Sequence, residues 1–445
     1  MTGAGLITPL DAWIAAKTGA PGQRIIEAEV KRYQLARLNS TINRARQLSP
    51  FYRRHFAAIE ARELARVDDL TVYPFTTPAD VTAHAMQLIC GSQSEISRVV
   101  TLATSGTTGE PKRIYFSTAD QELTVDFFRC GMSTLVGPAD KTLILLPGER
   151  PGSVGELLRL GLLRMQVQPV AYGLVRDVAA AVETMCSEQA TCLVGVPVQV
   201  LAMARHWEKW QGSRWAPRCA LLSTDHVPAA IVSELRRIWQ CEVFDHYGMT
   251  EMGLGGGIEC RAHQGYHLRE ADLYFEVVDP VSTQPLPAGE YGEVVFTTLT
   301  RQGMPLIRYR TGDISRFIPE PCPCGSSLRR LEKVRSRLEG RINLAGNMTL
   351  TMAELDEVLF ALPAVADFSA KVVCGNPAEL AVTVAILPDE AAPTVPAILN
   401  TLRQLPAIQA AEQTGCLALR AEIVNHFPGY AGKRKIQITE LTGRG

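Results

Sequence analysis

TLATSGTTGEPKRIYFS, residues Thr101–Ser117, decides how the rest of the chain is read. Thr104, Ser105, Gly106, Thr107, Thr108 and Gly109 supply hydroxyls and glycines but nothing a hydrophobic core can use. Glycines let backbone N–H groups turn inward, and several such groups together cradle phosphate oxygens. Ser105, Thr107 and Thr108 add hydroxyl donors, and Lys112 adds a positive charge. The Walker spacing G-x-x-x-x-G-K-[ST] is not met, because GTTGEPK sets the lysine behind Glu110 and Pro111. Taken alone, the loop reads equally well as an ordinary Gly/Thr turn.

Around this loop, short apolar runs alternate with longer amphipathic ones. TLILLP (142–147), ATCLVGVP (190–197), CALLS (219–223) and CEVFDHYG (241–248) read as strands. Residues 155–165, 174–188, 198–210 and 228–239 read as helices. Such alternation predicts an α/β domain with mainly parallel strands, whose strand-end loops are where ligands bind. Residues 272–318 change character: YFEVVDP, GEVVFTTL and ISRFIP are strand-like and separated by Pro and Gly turns, a β-rich subdomain. After Gly340 a small α+β domain follows, with a helix at 353–361, strands at 367–374 and 380–387, a helix at 395–405 and a final strand near 417–425. Upstream, Leu35, Leu38, Ile42 and Ala45 recur at helical spacing within a helical region over 24–67, which Pro50 interrupts. The fold class is α/β: a large N-terminal domain of mixed sheets over 1–338 and a small α+β domain over 339–445.

Composition sets the outer bounds. The chain has 445 residues, 46% of them hydrophobic, enough for a sizeable core in more than one domain. A net charge of −1 and a pI near 6.7 favour neither nucleic acid nor an anionic membrane as partner. No apolar run reaches the ~18 residues of a membrane span. MTGAGLITPLDAWIAAK lacks the features of a signal peptide. The eleven cysteines, Cys130, Cys192 and Cys219 among them, are expected to be reduced thiols of a cytoplasmic protein.

Three further stretches change the odds for the loop. HYGMTE (246–251) follows a strand and ends in a carboxylate. YRTGD (309–313) presents another carboxylate after a turn. GYAGKRK (429–435) sets lysine in a glycine loop near the C-terminus. Each alone has a bland reading, as a turn aspartate or a solvated lysine; their order and spacing carry the signal. TSGTTGEPK, YGMTE, YRTGD and AGK together resemble the core motifs of the adenylate-forming superfamily, which includes acyl-CoA synthetases. SPFYRRHF with DLTVYPFTTPADV, and TTLTRQGMPLIRYRTGD with the CPCG that follows, resemble its phenylacetate–CoA ligase branch.

The resemblance implies an ATP-dependent enzyme. It would activate a small carboxylic acid as an acyl-adenylate, release pyrophosphate, and pass the acyl group to coenzyme A. Ser105, Gly106, Thr107, Thr108, Gly109 and Lys112 would hold the ATP phosphates. Tyr247 would stack on adenine, flanked by Asp245, His246 and Gly248. Thr250 would contact the α-phosphate, and Glu251 would hold Mg²⁺, a hard cation suited to oxygen ligands. Asp313 would accept hydrogen bonds from both ribose hydroxyls, and Arg337 would lie near the nucleotide. Lys433 would neutralise charge at the reacting phosphorus, with Lys435 as its rival, on a C-terminal domain that rotates between half-reactions. Asp225, in STDHVP (223–228), stands where the family has a glutamate. Other departures are Glu339 and Gly340 at the hinge, Ser336 before Arg337, and Ala345 before Gly346; they bear on thioester formation and rotation. Family analogy alone adds a homodimer.

Cys260, Cys322 and Cys324 with His267 could give tetrahedral zinc coordination. The resemblance favours His267 over His263, and a structural zinc occurs at this place in some members. The alternative is three buried thiols and a surface histidine. Tyr172, Val196, Pro197 and Phe244 are candidates for an apolar acid pocket suited to an aryl or hydrophobic acid, although core packing explains them as well. Two other functions stay open: adenylation with transfer to an amine or carrier-protein thiol, and a non-catalytic nucleotide-binding homologue.

Overall fold

The computed structural model describes residues 8–19, 25–102, 111–334, 336–344, 348–386, 393–424 and 434–439. They fall into two compact units, residues 1–173 with 244–334, and residues 174–243 with 335–445.

The first unit starts with the helices Pro9–Thr18, Glu27–Leu48 and Pro50–His55. Pro50 opens a helix as well as ending one: it sits at the first helical position, where no N–H is needed, and Ser49 caps it by accepting from Tyr52 N at 3.2 Å. The helical expectation over 24–67 therefore overruns. The chain leaves the helix at His55, and Asn39 takes both backbone groups of Leu64, Oδ1 from its N–H at 2.8 Å and Nδ2 to its carbonyl at 3.1 Å. That side chain replaces the ladder a helix would have used.

Strands Ile96–Leu102 and Lys112–Ser117 form an antiparallel pair in which Leu102 lies opposite Lys112. Ser117 and Asp120 form a capping box at the start of the helix Thr118–Met132. Strands Lys141–Leu145 and Gln168–Ala171 are parallel, and between them in the chain runs the helix Val154–Leu163. Strand Glu242–Tyr247 begins an antiparallel run through Gly257–Glu259, Tyr266–Leu268, Arg330–Leu331 and Phe317–Ile318. Leu273–Val278, Gly292–Thr298 and Tyr309–Ser315 form the antiparallel β-rich part. Parallel pairing in the alternating region and antiparallel pairing in the β-rich part give the mixed sheets expected of the class. Tyr52, Phe56, Tyr73, Phe275, Phe296 and Tyr309 belong to one buried apolar core, which unites the N-terminal helices with the β-rich strands.

In the second unit, Cys192–Gly195 and Cys219–Leu222 are parallel, with the helices Val178–Ser187, Pro197–Lys209 and Ala229–Trp239. Its four-stranded sheet runs in the order Leu417–Val424, Ala378–Ile386, Val365–Val373, Gln437–Thr439. The strand near 417–425 is therefore not the last; Gln437–Thr439 follows and pairs parallel to Val365–Val373. The helix expected over 395–405 is two, Val395–Leu402 and Pro406–Gln413, divided where Pro406 opens the second. The C-terminal part is a small α+β domain, and the whole is of the α/β class with mixed sheets. No described helix is long and apolar enough to cross a membrane.

Candidate active site

Lys112 opens its strand, and its ammonium pairs with Glu251. Nζ also donates to the Tyr309 hydroxyl at 3.3 Å, and Tyr309 Oη donates to Glu251 Oε1 at 3.1 Å. Glu251 lies in a short 3₁₀ turn, Thr250–Met252, just beyond the strand Glu242–Tyr247, and is buried. Burial alone would lift its carboxyl, but Lys112 and Tyr309 outweigh it and hold the group below the usual carboxylate range. The turn is fixed by Arg301, which donates to the Glu251 carbonyl at 2.7 Å and to the Tyr115 carbonyl at 3.1 Å, its guanidinium 4.3 Å from the Phe116 ring. Burial brings Arg301 down to about 10, so it remains charged. Gly248 admits no side chain, since a Cβ there would stand 2.4 Å from the Leu254 carbonyl oxygen.

A second cluster lies on the same unit. Tyr247 Oη donates to Asp313 Oδ2 at 2.9 Å, and its ring stacks on Tyr266 at 5.7 Å with 25° between planes. Tyr266 Oη in turn donates to Asp245 Oδ2 at 2.8 Å. Asp245 N donates to Glu259 Oε2 at 2.9 Å, and Lys333 Nζ reaches Glu259 Oε1 at 2.9 Å and Asp245 Oδ2 at 3.5 Å. His246 points between Phe127 and Phe128, 6.3 and 6.2 Å away; burial, with Arg269 nearby, brings its imidazole down to about 4.

The strand carrying Tyr309 and Asp313 is anchored from the N-terminal segment. Ile307 N donates to Tyr52 Oη at 2.9 Å, and Thr76 Oγ1 donates to the Ile307 carbonyl at 2.7 Å. Arg308 pairs with Glu276 at 3.0 Å and donates to the Tyr73 carbonyl at 2.8 Å. Asp120 accepts from Gln302 N at 2.8 Å and Gly303 N at 3.0 Å, pinning the loop before that strand. So SPFYRRHF, VYPFT and TRQGMPLIR meet at the base of one strand.

Cys260, His267, Cys322 and Cys324 come together, all buried, with their ligand atoms within 4.8 Å of one another. Cys260 Sγ and Cys322 Sγ are 3.6 Å apart, and Cys324 Sγ and His267 Nε2 are 3.4 Å apart. A disulfide requires about 2.05 Å. Ligands 2.0–2.3 Å from one tetrahedral centre stand roughly 3.4–3.8 Å from each other, so this donor set fits zinc. His263 is turned away, with Nδ1 3.4 Å from Glu259 Oε2 and its ring 4.8 Å from Phe244.

Other predicted residues lie elsewhere. Phe244 is buried against His263, and Tyr172 donates its N–H to the Ile144 carbonyl at 3.1 Å. Thr250 is half-buried beside Glu251. Pro197, Asp225 and Arg337 belong to the second unit. There Asp225 accepts from its neighbour His226 N at 2.9 Å and from Arg434 N at 3.3 Å, while Arg337 is exposed. Ser105, Gly106, Thr107, Thr108, Gly109 and Lys433 lie outside the described residues. Sequence reasoning passed over Tyr309, Arg301, Tyr266, Glu259 and Lys333. Tyr309 was within reach: it shares a strand face with Asp313, four residues on, in a strand of alternating burial.

Residues 92–300 match the family model described as AMP-binding enzyme. The phenylacetate-coenzyme A ligase of Thermus thermophilus is 28% identical over 349 residues, 76% of each chain. That of Escherichia coli K12 is 27% identical over 328 residues, 72% of this chain and 73% of the relative. In fold, the chain matches a 2-hydroxyisobutyryl-CoA ligase crystallised in the postadenylation state with an acyl-AMP, at a TM-score of 0.78 and 20% identity, over 94% of this chain and 91% of that one. Together with the ordered motifs, these likenesses support the adenylate-forming superfamily, and its phenylacetate–coenzyme A ligase branch, as the family this chain resembles.

Proposed function

We propose that the protein is an AMP-forming acid–coenzyme A ligase acting on an aryl or other hydrophobic carboxylic acid. The observation that carries this is the Lys112–Glu251–Tyr309 contact, which joins three separate sequence motifs around one buried charge pair. In the first half-reaction a carboxylate oxygen attacks the α-phosphorus, the bond to the β-phosphoryl oxygen breaks, and pyrophosphate leaves. In the second, the sulfur of coenzyme A attacks the acyl carbon and AMP departs. The protein's part is placement and charge stabilisation. Lys112, with the hydroxyls and amides of 104–109, takes the phosphates; Thr250 meets the α-phosphate; Tyr247 stacks on adenine beside Asp245, His246 and Gly248; Asp313 takes the ribose. Asp225 and Arg337 complete the nucleotide contacts, Lys433 supplies charge to the reacting phosphate, and Tyr172, Pro197 and Phe244 line the acid pocket. Glu251, kept ionised, would hold Mg²⁺, whose charge offsets that of the phosphate oxygens. Cys260, His267, Cys322 and Cys324 would hold a structural zinc. A C-terminal lid over 339–445, a homodimer and a cytoplasmic setting complete the proposal; the eleven free thiols suit a reducing compartment.

The test is pyrophosphate release across a panel of aryl and aliphatic acids, with and without coenzyme A. Acid-dependent release matched by coenzyme A consumption is expected. Release without coenzyme A consumption points to another acceptor, and no release with any acid overturns the proposal.

A further inference from the structure

We propose that Lys333 is a positioning residue for ATP: by bridging Asp245 and Glu259 it fixes the Tyr266 ring on which Tyr247 rests, and so sets nucleotide affinity. The inference rests on the ligase reading for its ligand, and on geometry for its residue. Asp245, Glu259 and Tyr266 come from three adjacent antiparallel strands, Glu242–Tyr247, Gly257–Glu259 and Tyr266–Leu268. Both carboxylates are buried, with Glu259 1% and Asp245 4% exposed. Lys333 approaches from the segment after the strand Arg330–Leu331, in which Leu331 lies opposite Tyr266. Its ammonium spans the two groups at 2.9 and 3.5 Å.

Buried carboxylates need a partner, and the Lys333 ammonium supplies one to both at once. Burial alone would lower Lys333, but Asp245 and Glu259 outweigh it and raise it above the ordinary lysine value. Glu259 Oε2 also has His263 Nδ1 at 3.4 Å, so Lys333 and His263 approach it on different oxygens. Asp245 Oδ2 is the atom shared between Lys333 and the Tyr266 hydroxyl. Without the ammonium, Asp245 Oδ2 loses one of the two groups that hold it, and the acceptor that orients Tyr266 is free to swing away. Tyr266 stacks on Tyr247, whose hydroxyl reaches Asp313, so the disturbance arrives at the platform for the base and the acceptor for the ribose together. The phosphate contacts proposed for Lys112 and Glu251 rest on a separate ion pair. The effect therefore falls on ATP affinity.

Calorimetric ATP binding, steady-state kinetics and melting temperature are measured on wild type, Lys333→Met, Lys333→Arg and Tyr266→Phe. Lys333→Met is expected to weaken ATP binding and raise its KM about tenfold (~1.4 kcal/mol), with kcat and the KM values for acid and coenzyme A within threefold. Lys333→Arg, which keeps the charge, recovers most of the loss. ATP affinity within twofold of wild type in Lys333→Met overturns the proposal, as does an equal fall in every constant alongside the melting temperature. If Lys333→Met does not fold, Tyr266→Phe decides: it keeps the ring and removes the hydroxyl that Asp245 orients, and unchanged ATP affinity in that variant overturns the proposal. A wild-type protein that binds no ATP overturns the ligase reading instead.

Discussion

Glu251 and His246 stand five residues apart and illustrate opposite outcomes of burial. Glu251 has a cation against it and stays ionised; His246 has Phe127, Phe128 and the repelling charge of Arg269, and stays neutral. A histidine whose folded pKa is depressed from 6.5 to about 4 binds fewer protons when folded than when unfolded across that interval. Stability is therefore lost as pH falls from about 6.5 to 4. The ring keeps some exposure, so the loss is on the order of 2 kcal/mol. Urea unfolding at pH 7 and pH 4.5 should show this decrement, and His246→Phe should shrink it; an unchanged difference would remove His246 as its source. At this scale, much of the site was legible in residue identity. Glu251 and Asp313 stood out by their motifs. Lys112 meeting Glu251 was not legible as a contact, because 139 residues separate them and local periodicity carries no trace of such a pairing. Lys333 was invisible for a simpler reason: a lysine outside any motif reads as a solvated charge until two buried carboxylates are found beside it.

Among elements, the strands Gly257–Glu259 and Tyr266–Leu268 do two jobs by alternation. Successive side chains on a strand point to opposite faces. Tyr266 faces Asp245 and Tyr247 and His267 faces the Cys324 thiol, while Glu259 joins Lys333 and Cys260, next in the chain, joins Cys322. A zinc ion would thus lock the register of the pair that carries Tyr266. Purified protein should retain about one zinc per chain after dialysis. Cys322→Ser should lose the metal and lower the melting temperature by several degrees, since structural zinc contributes folding energy outright. A metal-free wild type that melts unchanged after chelator treatment would defeat the zinc proposal. The cysteines were legible by spacing and His267 by the family resemblance; the fold adds the reason, since strand pairing turns His263 towards Glu259. The overextended helix at 24–67 has a similar cause: Asn39 captures Leu64 from a distance that helical periodicity does not register.

Across the whole molecule, the two units share out the proposed work. The first holds Lys112, Glu251 and Asp313, and the second ends in the segment after Lys433. Arg434 is plugged into that second unit: it pairs with Asp356, lies 3.4 Å from Asp367, donates to the Phe368 carbonyl at 3.0 Å and faces the rings of Phe360 and Phe368. The chain is thus fixed one residue beyond Lys433. Lys433→Ala should depress acid-dependent pyrophosphate release by two orders of magnitude or more, while a supplied acyl-adenylate still reacts with coenzyme A. Near-normal release would transfer the role to Lys435. The order of α and β elements was legible because each is local. The excursion through 174–243, after which the chain rejoins its first unit, was not, since it depends on pairings remote in sequence. That excursion also sets a timetable for synthesis. Tyr52 receives its hydrogen bond from Ile307, 255 residues later. At about 5–20 residues per second, a ribosome needs roughly 13–50 s to deliver that partner. Until then Phe51, Tyr52 and Phe56 have no β-rich strand to pack against, so this part of the core closes only when the later strands arrive.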